Sequence, residues 1–448
     1  MGAAITMHIL EKMRLIFKGI RLFLFCRYGK VAYDAKALNQ HQQKSWERFQ
    51  QSTLTHSGYF RPYYRQPLSQ WPIMNKEVMM NHFNEMNTVG IDKDKAFEIA
   101  IRSEKERDFS SDLNGVTIGL SSGTSGNRGM FIASKEDRLS WMVSILAKVL
   151  PPWWLRKQRI GLFLRANSTL YETINGMLYS FKFFDLIKPI KVLIKEVDEF
   201  NPSVLAAPPS VLVQLAKHKQ QGLININPEK IISVAEVLEP LDEQLIRTSF
   251  SQIVHQIYQC TEGFLGVTCE EGTLHLNEEN LIIEKEFLDQ EKRKFVPIIT
   301  DFTRQAQPII RYRLNDILTL RKEPCPCGRQ TTALEFIEGR CDDIFYFWHL
   351  NGKEQTMVFP DFIRRAIITS SPHISEYFVN QVSREQLNIA IRVSNLAELS
   401  EIQSGIKSSL TDLFDKLNIS HPEISFVDKE HQPGVKKMKR IKRCFSVN

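Results

Sequence analysis

Cysteine and glycine are both scarce in this 448-residue chain, at seven and 21 residues. Seven thiols are few and odd in number, so any pairing scheme leaves one over. That composition speaks against a disulfide-stapled secreted domain and for a reduced, cytoplasmic protein. Long hydrophobic runs are missing too: no stretch approaches the length of a spanning helix. Residues 13–27 are apolar but interrupted by Arg14, Lys18 and Arg21, and they lack the unbroken apolar stretch and small-residue cleavage site of a secretory signal. Apolar residues at 43% and charged residues at 24% are ordinary globular usage, which excludes global disorder, collagen and coiled coil. The length suits roughly two or three domains.

A basic surface is also absent, although the formal net charge is +7. Residues 1–30 hold six Lys/Arg against Glu11, and residues 436–443 hold six more with no acid. The rest of the chain carries 46 basic and 50 acidic residues, so its body is mildly acidic. A nucleic-acid binder spreads basic charge over a folded face, and nucleic acid is therefore not an expected partner. Segment 1–30 reads as a helix docked on its own domain with its lysines outward, or as an amphipathic helix giving peripheral contact with an anionic membrane.

The pattern is helical and polar from residue 35 to 100. Val116–Leu120 reads as a strand running into a Ser/Gly turn, followed by the short apolar run Met130–Ala133. Ser134 with Asp137 three positions on is a capping-box variant, and Pro151-Pro152 ends the helix it starts. Strands then alternate with helices: Arg159–Leu164, Val204–Ala207, Ile231–Ala235 and Ile253–Ile257. That order predicts a mostly parallel, helix-covered sheet. Short strands follow one another from His275 to Leu320, and the β-rich part ends near Gly339-Arg340. The expected fold is α/β: a large N-terminal domain, residues 1–341, of helix-covered mixed and parallel sheets with a β-rich part, and a small α+β C-terminal lid domain, residues 342–448.

What is present is a set of short motifs. Ser121-Ser122-Gly123-Thr124-Ser125-Gly126-Asn127-Arg128-Gly129 offers glycines whose backbone approaches a ligand closely, four hydroxyl donors and a fixed positive charge, a plausible triphosphate cradle. It matches neither the P-loop nor the dinucleotide fingerprint. Gly119-Leu-Ser-Ser-Gly123 also fits G-x-S-x-G, which makes Ser121 the nucleophile of an alternative serine hydrolase; that reading needs a helix directly after the serine. Tyr258-Gln-Cys-Thr261-Glu262 follows an apolar strand, where α/β sheets hold ligands, and Glu262 is of the type that binds Mg²⁺. Asp316 after a strand suits a ribose diol, and Gly339-Arg340-Cys-Asp342-Asp sits where the composition shifts, as a hinge does.

In this order the motifs resemble the adenylate-forming superfamily of acyl-CoA synthetases and adenylation domains, nearest its phenylacetate–CoA ligase-like branch. The signatures are the Ser/Thr/Gly loop, Y-x-x-T-E, Y-R-x-x-D and G-R-x-D-D across residues 117–343, with a weaker K-x-x-R at Lys437–Arg440. The resemblance implies a ligase that activates a carboxylic acid with ATP and Mg²⁺ as its acyl-adenylate, releases pyrophosphate, and passes the acyl group to a thiol of CoA or a carrier protein, or to another nucleophile. It implies that Ser121, Ser122, Gly123, Thr124, Ser125, Gly126 and Arg128 hold the β,γ-phosphates and that Ala235, Glu236 and Tyr258 flank the adenine. Thr261 would touch the α-phosphate, Glu262 would bind Mg²⁺, Asp316 the ribose hydroxyls, and Arg340 ribose or phosphate. Asp342 would be the hinge and Lys437 the catalytic lid lysine, with Lys436 and Lys439 as alternatives in the same basic run. A non-catalytic membrane-surface protein on this fold is a further alternative.

Cys325-Pro-Cys327-Gly328 puts two thiols on a tight turn, and Cys269 and His275 would complete a Cys₃His zinc set. Relatives of the branch carry similar sets, and with four protein ligands the zinc is expected to be structural. Finally, Phe163, Tyr171, Tyr179, Phe181, Phe183 and Phe184 make one stretch unusually aromatic, which suggests a pocket for an aromatic or hydrophobic acid.

Overall fold

The computed structural model of the protein describes residues 2–106, 112–120, 129–164, 178–428 and 438–447. Helices α1 (Gly2–Tyr28), α2 (Ala35–Ser52), α3 (Lys76–Asn81), α4 (Phe83–Met86) and α5 (Lys93–Glu106) come first. Asp34 and Asn75 cap α2 and α3, each side chain accepting a first-turn amide. Trp46, Phe49, Trp71 and Met79 from this region pack on the β-rich part of the main sheet.

Strands β1 (Asp112–Leu113), β2 (Val116–Leu120) and β3 (Met130–Ala133) form a small antiparallel sheet in which Leu120 faces Met130. Strand β2, which ends next to Ser121, thus lies in an antiparallel sheet, where a nucleophile elbow requires a parallel one. This removes the structural support for the hydrolase alternative. The expected capping box starts α6 (Lys135–Val149) at Ser134. Its Asp137 also accepts from the amides of Gln305 and Ala306 at 2.7 and 3.0 Å, so one carboxylate caps a helix and pins a distant loop.

Strands β4 (Gln158–Leu164), β5 (Tyr179–Asp185), β6 (Val204–Ala207), β7 (Lys230–Ser233) and β8 (Val254–Cys260) lie in spatial order β5-β4-β6-β7-β8, all parallel. Every residue of β6 and β7 is buried, as expected of parallel strands covered on both faces. Helices α7 (Ile190–Phe200), α8 (Pro209–Gln220) and α9 (Pro240–Phe250) pack together through Leu193, Val197, Val211, Leu215 and Ile246. Strand β8 is the seam, parallel to β7 on one side and antiparallel to β9 (Gly263–Thr268) on the other. Beyond it lie β10 (Leu274–Leu276), β11 (Leu281–Phe287), β12 (Lys294–Asp301), β13 (Ile309–Arg313), β14 (Asp316–Leu320) and β15 (Ala333–Arg340), paired antiparallel into the same twelve-stranded sheet. The α/β architecture with a β-rich part is as the sequence predicted. Some boundaries differ: β8 runs on through Tyr258 to Cys260, and β7 ends at Ser233, so that Ala235 turns out with φ of 68°.

A single turn, Cys341–Asp343, leads to a second unit. Hairpin β16 (Phe345–Trp348) and β17 (Gln355–Val358) precedes α10 (Pro360–Ile368), β18 (Ile374–Ser383), β19 (Gln386–Val393), α11 (Leu399–Lys416), β20 (Glu423–Phe426) and β21 (Ile441–Arg443). Its four-stranded sheet runs β20-β19-β18-β21, over a core of its own that includes Phe345, Phe347, Ile363, Val379, Ile389 and Phe414.

Helix α1 is docked on α6. Gly19 faces Leu139 and Val143, Phe23 meets Trp154 at 4.8 Å between rings, and Arg27 donates to the carbonyls of Ala147, Leu150 and Pro151. A cation there satisfies the open carbonyls at a helix C-terminus. Arg14, Lys18 and Arg21 are exposed, as expected of a docked helix, and the outward face also exposes Met13, Ile16, Phe17, Ile20 and Leu24. Among the described residues no helix is long and apolar enough to cross a membrane.

Candidate functional site

A cavity of about 540 Å³ opens at the end of β8, between the large sheet and the second unit. Cys260 pairs with Gly263, so Thr261 and Glu262 form the two-residue turn joining β8 to β9 at the cavity wall. The seam between parallel and antiparallel pairing therefore carries the Y-x-x-T-E motif. Thr261 Oγ1 donates to Glu262 Oε2 at 2.8 Å, and Tyr312 hydrogen-bonds the same carboxylate. Asp316 begins β14 directly opposite Arg340 at the end of β15. Tyr258 donates its phenolic proton to Asp316 Oδ2 at 2.7 Å. Burial, reinforced by the Asp316 charge, pushes the Tyr258 phenol far up and keeps it a donor.

Ala235 and Glu236 line the same cavity. The left-handed backbone of Ala235 costs an alanine roughly 1–2 kcal/mol, and strain of this kind concentrates at binding sites. Glu236 accepts from the amide of Ser210 at 3.3 Å and from the amide of Met438 at 3.1 Å, which fastens the C-terminal segment to the cavity rim. Next to it, Lys439 Nζ lies 3.0 Å from Asp343, and Arg440 bonds both oxygens of Asp242 in α9. Burial raises the Asp343 carboxyl, and Lys439 partly offsets this. The exposed Asp342 accepts from Asn315 at 2.7 Å, at the turn between the two units.

The structure thus brings Ala235, Glu236, Tyr258, Thr261, Glu262, Asp316 and Arg340 around one cavity, with Asp342 at the connection beside it. Ser121, Ser122, Gly123, Thr124, Ser125, Gly126, Arg128, Tyr171, Lys436 and Lys437 lie outside the described residues. Strands β2 and β3 bracket the first group, and Met438 at the cavity rim directly follows Lys437.

Sequence reasoning missed several residues. Lys76 of α3 lines the cavity; burial lowers its pKa, the charge of Glu262 raises it and that of Arg340 lowers it further. Arg304 donates to the carbonyl of Thr261 at 2.6 Å and to that of Ile132 at 3.1 Å, so it ties the motif turn to β3. Arg364 of α10 lies 2.5 Å from Glu239 and 3.3 Å from Glu338, while Lys294 bonds Glu338 and Asp361. This buried network crosses between the two units. No local pattern marks these residues, since each acts through partners remote in sequence.

A second, apolar cavity of about 150 Å³ adjoins the first and shares Ala235, Ile257 and Gln259 with it. Its walls are Met142, Ile145 and Leu146 of α6, Ile160 and Leu162 of β4, Val204 and Ala206 of β6, and Phe181. Among the described residues of the aromatic stretch, only Phe181 reaches it. Phe163 and Phe184 stack at 4.4 Å in the helix-covered core, and Tyr179 bonds the carbonyl of Trp154. Strand alternation is the reason: neighbouring residues of β4 and β5 point to opposite faces.

The four zinc candidates also meet. The ligand atoms of Cys269, His275, Cys325 and Cys327 lie within 4.8 Å of one another. Cys269 Sγ is 3.7 Å from Cys325 Sγ, and Cys327 Sγ is 3.4 Å from His275 Nε2. The turn closes by Gly328 N–H donating to Cys325, with Gly328 at φ 78°, a conformation that favours glycine. His275 Nδ1 sits 3.2 Å from the carbonyl of Thr331, so a proton there leaves Nε2 as the free ligand atom. Donor chemistry and spacing fit a closed tetrahedral Zn²⁺ site.

The fold is that of the adenylate-forming ligases. A 2-hydroxyisobutyryl-CoA ligase solved in its postadenylation state with an acyl-adenylate superposes with a TM-score of 0.62 at 16% identity, covering 91% of this chain and 89% of that one. No family model matches the sequence. Among curated proteins, the protein CapK of Staphylococcus aureus is 26% identical over 286 residues, 63% of this chain and 61% of its own length. A phenylacetate–coenzyme A ligase of Thermus thermophilus is 25% identical over 206 residues, 42% of this chain and 44% of its own length. The alignments thus span less than two thirds of either relative. The chain thus has the fold of the adenylate-forming ligases and a partial sequence similarity to a phenylacetate–coenzyme A ligase.

Proposed function

We propose that the protein activates a hydrophobic carboxylic acid with ATP, forming an acyl-adenylate and pyrophosphate, and then transfers the acyl group to a thiol. The observation that carries this is the convergence of Tyr258, Thr261, Glu262, Asp316 and Arg340 on one cavity that the 438–440 segment closes. A carboxylate and a triphosphate repel each other, so the first step needs donors and cations that offset charge and hold an in-line geometry. Arg340 and Lys76 put positive charge at the wall, and the 121–128 segment would supply phosphate donors. Asp316, held by Tyr258, takes the ribose hydroxyls, and Ala235, Glu236 and Tyr258 flank the base. Thr261 touches the α-phosphate. Glu262 holds Mg²⁺, which neutralises phosphate charge when bound.

Lys437 reaches the reacting carboxylate from the lid, residues 342–448, and leaves when the lid turns about Asp342. Lys439 is the weaker candidate because Asp343 already pairs with it. The acyl group occupies the apolar cavity, whose 150 Å³ suits a group of about the size of a benzene ring. Zinc at Cys269, His275, Cys325 and Cys327 is structural: it ties the β9–β10 turn to the loop before β15. Hydroxylamine trapping of the adenylate over a series of acids tests the assignment. Hydroxamate from apolar acids of ring size or short chain, with little from polar or long-chain acids, is expected.

A further inference from the structure

We infer that α1 is a membrane-docking helix that lays the protein on an anionic lipid surface. The helix has two apolar faces. One, with Gly19 and Phe23, is packed on α6 and Trp154. The other carries Met13, Ile16, Phe17, Ile20 and Leu24, all exposed, with Phe17 at 71%. At about 100° per residue these five side chains share an arc of roughly a third of the helix circumference. Such an unbroken exposed apolar stripe is costly in water and marks an interaction surface.

The residues beside the stripe select its occupant. Arg14, Lys18 and Arg21 follow along one edge of the arc and all are exposed. No acidic residue occurs between Lys12 and Lys30, so the flank is uniformly positive. At the C-terminal end of the helix the surface continues through the exposed Tyr28, Trp153 and Leu155, with exposed Arg156 and Lys157 beside them. Apolar side chains in the plane, bulky aromatics at the edge and a cationic border are what an interfacial helix presents to anionic headgroups. A second copy of this chain would bring two positive borders together, so charge favours lipid over self-association. Docking through the outward face leaves the packing on α6 intact, and it needs no change in the fold.

The full chain is tested by co-sedimentation with vesicles of phosphatidylcholine alone and of phosphatidylcholine with phosphatidylglycerol. Binding to the anionic vesicles should be stronger by a factor on the order of a hundred, from three cations near the surface. It should weaken as salt is raised. Phe17→Asp and the triple charge reversal Arg14→Glu/Lys18→Glu/Arg21→Glu should each abolish it. Leu396→Asp, on the exposed surface of the C-terminal unit, should not. Unchanged melting temperatures of the variants show that the fold is retained. Equal binding to both vesicles, or binding indifferent to Phe17→Asp, overturns the inference. So does absence of vesicle binding together with a dimer, seen by sedimentation velocity, that Phe17→Asp dissociates.

Discussion

Arg440 Nη2 lies 2.5 and 2.7 Å from the two carboxylate oxygens of Asp242, and both side chains are buried. The pair joins the C-terminal unit to α9 of the large domain, three residues beyond Lys437. Together with the Arg364–Glu239 contact it holds the 438–440 segment against the cavity. The two units are thus joined by buried charges, which are strongly coupled to geometry and give little net stability.

Removing one member leaves a buried charge uncompensated, at a cost of about 3–5 kcal/mol. Arg440→Met is therefore expected to favour an open arrangement, seen as a larger radius of gyration in small-angle X-ray scattering, and to slow adenylate formation. Arg440→Met combined with Asp242→Leu removes both charges and should recover the compact form. A single variant as compact and active as the parent would refute the latch.

The Tyr258–Asp316 hydrogen bond makes a graded prediction. If Asp316 takes the ribose hydroxyls as proposed, Asp316→Ala should weaken ATP binding roughly tenfold to a hundredfold. Tyr258→Phe keeps the carboxylate and removes only its orienting donor, so the loss should be within about tenfold. Isothermal titration with ATP measures both. Equal affinity in Asp316→Ala would detach this residue from the nucleotide.

One zinc per chain is expected by elemental analysis. Cys327→Ser, or treatment with a strong chelator, should release it and lower the melting temperature. Metal-free protein of unchanged stability would show that the four residues are simply packed thiols and a histidine.

His255 supplies a pH prediction. Burial, with the Lys230 charge adding to it, lowers its pKa to about 4 from an ordinary 6.5. The unfolded chain takes up this proton near pH 6.5 and the folded chain only near pH 4. The unfolded state thus binds more protons throughout that window, and stability falls as pH falls through it. Chemical denaturation of the parent and of His255→Gln should show a shallower decline for the variant. Parallel profiles would contradict the assignment.

Much of the site was legible because its residues sit next to strand ends. Ser134 and Asp137 mark a helix start; Tyr258 lies near the end of apolar β8, Thr261 and Glu262 follow it, and Asp316 opens β14, whose register gathers them. Cys325 and Cys327 marked a turn that needed only Cys269 and His275 from a neighbouring hairpin. Arg304, Lys76 and the Arg364 network were not legible, since their roles depend on partners brought near only by the folded sheet. The aromatic stretch misled for a simpler reason: strand alternation sends Phe184 into the helix-covered core and Phe181 to the cavity. For helix α1 the sequence allows both a docked face and a membrane-facing one, and that both faces are apolar becomes evident only once α6 covers the first.

The central claim is acid activation through an adenylate, and acid-dependent exchange of labelled pyrophosphate into ATP tests it most directly. Exchange is expected with hydrophobic acids, should require Mg²⁺ and the acid together, and should fall at least a hundredfold in Glu262→Gln. Folded protein that binds ATP but gives no exchange with any carboxylic acid would contradict the account.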